Sequence, residues 1–406
     1  MSITPKLLHS CGAAFSVMIA YLFPLYFGIT DTSSAAITIM VIAATDSLNS
    51  SLQKGFYRIV GTLVGAIIGI TLISIFPQER FLYLLTLSIF VTIFLYIARA
   101  YRGDKTIFML SAMTMMIVFN GGRVDDIFIY ATQKVMMTII GIAIYTFISV
   151  YIFTLKSDIK SQKHIFDFIW FDIEDIKGAL ISFMVFWASV IMWVELEIPY
   201  GFYIMVLATS LSLYTTYSII KPKLLIILFT ISFIFATLSY LFILPNLNGW
   251  WELGLFLFIY SFLGFYIVPQ QIGIFFLLGI ATFLIENEMN YDFSIFLFVL
   301  LIFYLYLFVL LFFEYFPFNQ QAEYMFLKLK DRFLYQLKHQ PNSKHLAETL
   351  KKMKMYSAKI DYNYFNIEKK DIMKYCKMCD EAIQTKNIEQ LYNYNLDFNK
   401  LKESKF

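Results

Sequence analysis

Long apolar runs alternate with short polar segments from the N-terminus to about residue 313. A transmembrane helix needs about 20 apolar residues, and runs of about this length recur along this part of the chain. The pattern predicts twelve spans, of which the second, fifth and eleventh are short. The first six are 8–28, 33–46, 57–76, 81–98, 106–120 and 127–154, and the second six are 178–195, 201–217, 224–244, 251–268, 272–286 and 293–313. We therefore expect an all-α integral membrane protein. The first run is too long for a cleavable signal peptide, so we expect it to remain as a span.

The two sets of six spans resemble each other. GAAFSVMIAYLFP begins at Gly12 and GALISFMVFWASV begins at Gly178, and the motif IMV occurs at Ile39 and again at Ile204. The offset between matching landmarks stays between 165 and 168 residues. Six spans is an even number, so both sets insert the same way up, as in transporters built from parallel repeats. The predicted domains are a first repeat at 1–155, a linker at 156–177, a second repeat at 178–313 and a helical tail at 314–406.

The composition and charge distribution agree with this assignment. The chain is 59% hydrophobic and 15% charged, well below the charged fraction of about 25% in soluble domains. Lys and Arg fall mainly in the loops that share a side with the N-terminus, and the opposite loops are mostly acidic. By the positive-inside rule both termini are cytoplasmic.

The stretch KGFYRIVGTLVGAIIG, residues 54–69, is the candidate functional motif. Lys54 and Arg58 are one helical turn apart, and Gly61, Gly65 and Gly69 follow at a spacing of four. This spacing puts the three glycines on one face, where another helix can approach closely. Cations at the mouth of such a helix indicate an anion site at the membrane boundary. A simpler interpretation is that the cations mark a cytoplasmic helix end and the glycines only pack; the residues leave both open.

We expect Arg58 in the first turn of the third span, which begins near Tyr57. Gly61 and Thr62 follow at three and four residues, on the same face. The missing side chain of Gly61 would leave room for a ligand beside the guanidinium, and the Thr62 hydroxyl could donate a hydrogen bond. The predicted substrate-binding residues include Arg58, Lys54 and Thr62.

Two further ionisable residues lie in or near the membrane. Asp46 ends the second span, where it either pairs with a nearby cation or carries a coupling proton. Lys134 lies inside the sixth span, and Thr138 and Gly141 continue its face toward the membrane centre. Lys134 is therefore a further candidate for substrate binding, with snorkelling to the outer interface as the alternative. Gly141 is expected to serve helix packing.

The C-terminal tail has a different composition. It holds 17 of the 32 Lys and Arg but only 12 acids, with helical periodicity that predicts three or four helices packed on one another or between protomers. The positive excess is spread along the helices, which argues against nucleic-acid binding. Cys376 and Cys379 form a lone CxxC with no close histidine, so no metal or other cofactor is expected. The chain contains no nucleotide or hydrolytic motif, and no enzymatic activity is expected.

The pattern K-G-x-x-R-x-x-G-T-x-x-G-A at residues 54–66 resembles the fusaric acid resistance family of inner-membrane exporters. Lys134 with Thr138 and Gly141 resembles a second pattern of that family, in which a cation precedes a threonine and a glycine. The likeness covers residues 10–155 well and residues 178–315 only in general layout. Two features depart from the family: the link between the repeats is short, and the second repeat lacks the Arg and Gly-Thr pattern.

The resemblance implies proton-driven efflux of aromatic carboxylic acids across a bacterial inner membrane. The partners implied are an organic anion, membrane lipid, a periplasmic adaptor and an outer-membrane channel, and a homo-oligomer is compatible with the tail. Plant malate channels resemble this membrane domain too, so a passive anion path is one alternative. A scaffold that acts in envelope assembly through its tail is another.

Overall fold

The computed structural model describes residues 5–29, 32–43, 48–101, 103–118, 127–152, 172–198, 201–217, 222–268, 293–316, 322–339, 344–358, 360, 369–385 and scattered positions between 273 and 285. Every regular element in these ranges is a helix, which confirms the all-α class. The fourteen helices are α1 Pro5–Tyr26, α2 Ser33–Ala43, α3 Leu48–Ile75, α4 Arg80–Ala100, α5 Thr106–Val118, α6 Ile127–Phe147, α7 Ile173–Glu195, α8 Phe202–Tyr217, α9 Pro222–Leu238, α10 Trp250–Tyr266, α11 Phe293–Tyr315, α12 Ala322–His339, α13 Lys344–Ser357 and α14 Lys369–Thr385.

Seven helical segments in the described residues are long and apolar enough to cross a membrane. They lie in α1, α3, α4, α6, α7, α9 and α11; the segment in α6 continues to Val150, and the segment in α9 continues to Asn246. The predicted short second and fifth spans correspond to two shorter apolar helices, α2 and α5, and α10 is also short. The predicted eleventh span, 272–286, falls where only scattered residues are described, so the count of twelve remains a prediction. The predicted linker, 156–177, lies outside the described residues as far as residue 171, and its last five residues belong to α7.

The first six helices form a tight group around α2 and α3. α3 packs against α5 on one side and against α6 on another, and α2 packs against α1, α3 and α6. The helix α2 has only 11 residues, and eight of them are buried. At a rise of 1.5 Å per residue it is about 16 Å long, well short of the roughly 30 Å hydrocarbon core of a bilayer.

Two equivalent seams join the first six helices to the later ones. α1 packs against α10, and α4 packs against α7. In the predicted repeat α1 and α7 are the first helices of the two sets, and α4 and α10 are the fourth. A two-fold related pair of repeats would produce this pairing, in which the first helix of each set meets the fourth helix of the other. The contacts therefore agree with the repeat, which remains a prediction.

The tail helices α12, α13 and α14 belong to a second compact unit. Amphipathic faces of these helices meet in a core that includes Phe333, Met353, Tyr375 and Cys379. Cys376 and Cys379 are buried in this core. Burial raises the pKa of the Cys376 thiol to about 11 and also raises the pKa of the Cys379 thiol. Both side chains are therefore protonated and poorly nucleophilic at neutral pH.

Candidate functional site

The helix that carries the KGFYR motif begins earlier than predicted. α3 starts at Leu48, so Arg58 lies ten residues, or about 15 Å, from its first residue. The apolar segment of α3 that is long enough to span a membrane begins at Gly55, so Arg58 lies in the first turn of the span, as predicted, although the polar segment before it belongs to the same helix. A hydrogen bond from Gln53 Nε2 to the Tyr57 hydroxyl, 2.9 Å long, links successive turns of this polar part. Lys54 is helical, but its side chain lies outside the described structure, as does all of Asp46.

The glycine stripe of α3 packs directly on the backbone of α5. A Cβ added at Gly61 would lie 2.6 Å from the carbonyl oxygen of Ile107, and one at Gly65 would lie 2.5 Å from that of Ser111. The Ser111 hydroxyl donates a hydrogen bond across this contact to the Gly61 carbonyl, at 3.1 Å. The space beside Gly61 is therefore filled by α5, and the expectation that it accommodates a ligand is wrong. Gly69 makes a looser contact, 3.3 Å from a Cβ to the Met115 oxygen.

Arg58 points toward α2. Its Nη2 atom lies 3.4 Å from the hydroxyl oxygen of Thr38, a long hydrogen bond. The Thr38 hydroxyl in turn donates to the Ser34 carbonyl at 2.8 Å. Thr62, one turn after Arg58, is buried, with 5% of its surface exposed. The guanidinium is thus half-buried beside a hydroxyl on the short interior helix.

Lys134 and Gly141 lie on the same helix but make different contacts. The Lys134 ammonium lies 5.8 Å from the centre of the Tyr130 ring, one turn toward the start of α6. The Thr138 hydroxyl donates to the Lys134 carbonyl at 2.9 Å. A Cβ at Gly141 would lie 2.6 Å from the Ala35 carbonyl oxygen of α2, so this glycine allows close packing of the two helices.

α2 is the element that brings part of the candidate set together. It contacts Arg58 through Thr38 and Gly141 through Ala35, residues one turn apart. The Lys134 ammonium instead contacts the ring of Tyr130 on its own helix, α6. The sequence analysis missed Thr38, although a hydroxyl inside the short apolar run ITIM was a usable signal, because a polar side chain within a membrane helix requires a partner.

Sequence analysis also missed the burial of Arg99. The predicted fourth span ends at residue 98, which left Arg99 as a loop cation. In the structure it lies in the last turn of α4, only 3% exposed, against Gly178 of α7. A span boundary placed one residue later would have marked it as a charge at membrane depth.

The arrangement around Arg58 is suited to anion binding. Charges at membrane depth are costly, and they commonly mark a substrate pathway or pair with other groups. A guanidinium presents five N–H donors in a planar fork and can hold a carboxylate through two parallel hydrogen bonds. The Thr38 hydroxyl adds a neutral polar group. These groups can recognise a carboxylate.

The helices define the class of the chain: it is a multi-pass, all-α membrane protein. Residues 6–165 match the model of the fusaric acid resistance protein family. The match confirms the resemblance for the first six helices and the first part of the linker, and it supports a role related to membrane transport. No curated protein and no solved structure is similar enough to match.

Proposed function

We propose that this protein exports organic anions, in particular aromatic carboxylic acids, across a bacterial inner membrane. The observation that carries the proposal is the half-buried Arg58 guanidinium beside Thr38, within a bundle of apolar helices. An anion leaving an aqueous compartment must exchange part of its hydration shell for fixed donors. Arg58 supplies such donors on a helix that is long and apolar enough to span a membrane.

The remaining parts of the proposal follow from the sequence and the family match. Lys54, Thr62 and Lys134 are the further substrate-binding residues of this proposal, and Asp46 carries the coupling proton. The positive loops place both termini in the cytoplasm. A periplasmic adaptor and an outer-membrane channel would carry the exported acid onward. The helix packing does not depend on these assignments, so each can be tested separately.

The test is flux of radiolabelled benzoate into inverted membrane vesicles, normalised to the amount of protein. We expect Arg58→Ala to lower the flux about tenfold or more, because a hydrogen bond to a charged group contributes about 1.5–3 kcal/mol. Arg58→Lys keeps the charge and loses the planar fork, so its flux should lie between wild type and Arg58→Ala. The control is Arg80→Ala at the exposed start of α4, which should transport normally.

The outcome separates this function from its rivals. Wild-type flux in both Arg58 variants would refute the anion site. Flux that follows the benzoate gradient alone, and does not respond to an imposed proton gradient, would indicate a passive anion channel.

The tail supports the scaffold alternative to one extent, because it has its own hydrophobic core. A scaffold predicts that deletion of residues 322–406 abolishes function and that Arg58→Ala does not. The exporter predicts that Arg58→Ala lowers benzoate flux about tenfold or more at unchanged abundance. Both variants are therefore needed in the same assay.

A further inference from the structure

The seam between α4 and α7 ends in a buried cluster of charged residues. Arg99 lies in the last turn of α4 and is 3% exposed. Its guanidinium lies across α7 at Gly178, where an added Cβ would be only 1.1 Å from Nη1. Only a glycine permits this position, because any larger residue would displace the guanidinium.

The acidic residues of this cluster lie in the first turns of α7. Asp172 is the N-cap, and its carboxylate accepts a hydrogen bond from the Glu174 N–H at 3.1 Å. Asp175 is 2% exposed and lies one turn before Gly178, about 4.5 Å along the axis. The neighbouring Glu174 is more exposed and lies 3.9 Å from the Lys177 ammonium. Asp172 is 6% exposed, and Asp175 is thus the more deeply buried acid, one turn from the glycine that lies against the guanidinium.

The dipoles of α4 and α7 both stabilise the charges of this cluster. Arg99 lies at the C-terminal end of α4, where the helix dipole stabilises a cation, and Asp175 lies near the N-terminus of α7, where it stabilises an anion. Removing either member of a buried pair leaves the other charge uncompensated, and this is far more costly than losing an exposed pair.

The second seam carries a cation at the equivalent place. Lys6 in the first turns of α1 lies over the ring of Tyr266 at the end of α10, with Nζ 5.4 Å from the ring centre. The repeat offset relates Arg99 to Tyr266 and Asp172 to Lys6, at 167 and 166 residues. Both seams therefore have a cation at the same end, and the cation of the α4–α7 seam is the more deeply buried one.

We propose that Arg99 and Asp175 form a charge latch, defined as these two residues together with Gly178, that closes the predicted cytoplasmic end of the α4–α7 seam. Arg99 and Asp175 separate when the two predicted repeats move apart at this seam. That they move apart during transport rests on the proposed transport function. Arg99 acts as a positioning residue and does not contact the transported anion.

The test measures how fast a cysteine behind the latch is labelled. Ser182, one turn beyond Gly178, is fully buried, and its hydroxyl lies 2.8 Å from that of Ser212. Full-length protein carrying Ser182→Cys is treated with N-ethylmaleimide in lipid vesicles, and labelling at this position is read by peptide mass spectrometry. Arg99→Ala and Asp175→Asn should each raise the labelling rate about tenfold or more.

Matched variants keep the test decisive. Glu174→Gln changes the adjacent acid of the same turn and should leave the rate unchanged. Gly178→Ala keeps every charge but displaces the guanidinium, so it should reproduce the Arg99→Ala result. If Arg99→Ala does not fold, the double variant Arg99→Lys with Gly178→Ala takes its place in the labelling test. An unchanged rate in Asp175→Asn or Gly178→Ala, or an equal rise in Glu174→Gln, would overturn the latch.

A second measurement tests the movement. Benzoate added to the otherwise unmodified Ser182→Cys protein should change its labelling rate. If this protein transports benzoate and the rate does not change, the latch does not open during transport. If the protein transports no benzoate, the proposed function fails. The effects of the Arg99 and Asp175 variants on the labelling rate then still test the latch independently of transport.

Discussion

Replacement of Gly65 by alanine tests the contact between α3 and α5 at its tightest point. The new Cβ would lie 2.5 Å from the Ser111 carbonyl oxygen and 2.8 Å from Thr114 Cβ. Ordinary contacts at these positions need more than about 3.3 Å, so the two backbones must separate by nearly 1 Å. A gap of that size forfeits a quarter to a half of the dispersion energy of each affected contact.

The expected cost follows from this separation. Overpacking by one methyl group in a close contact destabilises a protein by about 1–3 kcal/mol. The shift would also lengthen the 3.1 Å hydrogen bond from Ser111 to the Gly61 carbonyl. Gly65→Leu adds a branched side chain at the same place, and the close α3–α5 contact should then be lost.

Gly69→Ala is the matched control, because its Cβ would lie 3.3 Å from the nearest atom and needs only a small adjustment. The assay is the free energy of unfolding in mixed micelles, together with benzoate flux per molecule. We expect a loss of about 1–3 kcal/mol for Gly65→Ala and less than about 1 kcal/mol for Gly69→Ala. Equal stability of the two alanine variants, or a fully stable Gly65→Leu protein, would show that the glycines do not set the distance between the helices.

Two further predictions concern the topology and the tail. Cysteines introduced at Asn246 and Lys160 should differ in intact cells, with only the first reacting with a membrane-impermeant reagent; the reverse pattern would refute cytoplasmic termini. Burial raises the pKa of Cys376 from 9.0 to about 11, so the folded tail holds the thiol proton more tightly than the unfolded chain. Its contribution to stability is therefore complete below pH 9 and is lost as the pH rises toward 11. Thermal unfolding followed by circular dichroism should show this loss, and Cys376→Ala should reduce it.

The spacing of glycines in α3 was sufficient to predict a close helix contact but not its partner. Periodicity places Gly61 and Gly65 on one face, and any short helix could have met that face. The choice of α5 depends on the tertiary packing of Ile107 and Ser111, which local sequence does not encode. Because the helix that packs on this face could not be predicted, the space beside Gly61 was wrongly expected to be open.

The limits of α3 and α4 show what hydropathy marks and what it does not. Hydropathy marks the apolar part of a helix, whereas backbone hydrogen bonding continues through polar residues such as Gln53. Arg58 therefore lies in the first turn of the span, as predicted, although α3 begins ten residues before it. Arg99 is the opposite case, since a charged residue at the end of an apolar run looks like a loop until the neighbouring helix is known to cover it.

The shortness of α2 has a consequence for how the protein is made. The described part of α2, 11 residues long, is shorter than the about 20 apolar residues that span a bilayer. The 13 described residues of α5 are also too few. Both helices pack on α3, whose apolar part of 21 residues is long enough to insert independently. We infer that the long neighbouring helices hold α2 and α5 in the membrane, so loss of the close α3–α5 contact should leave α5 poorly inserted during biogenesis.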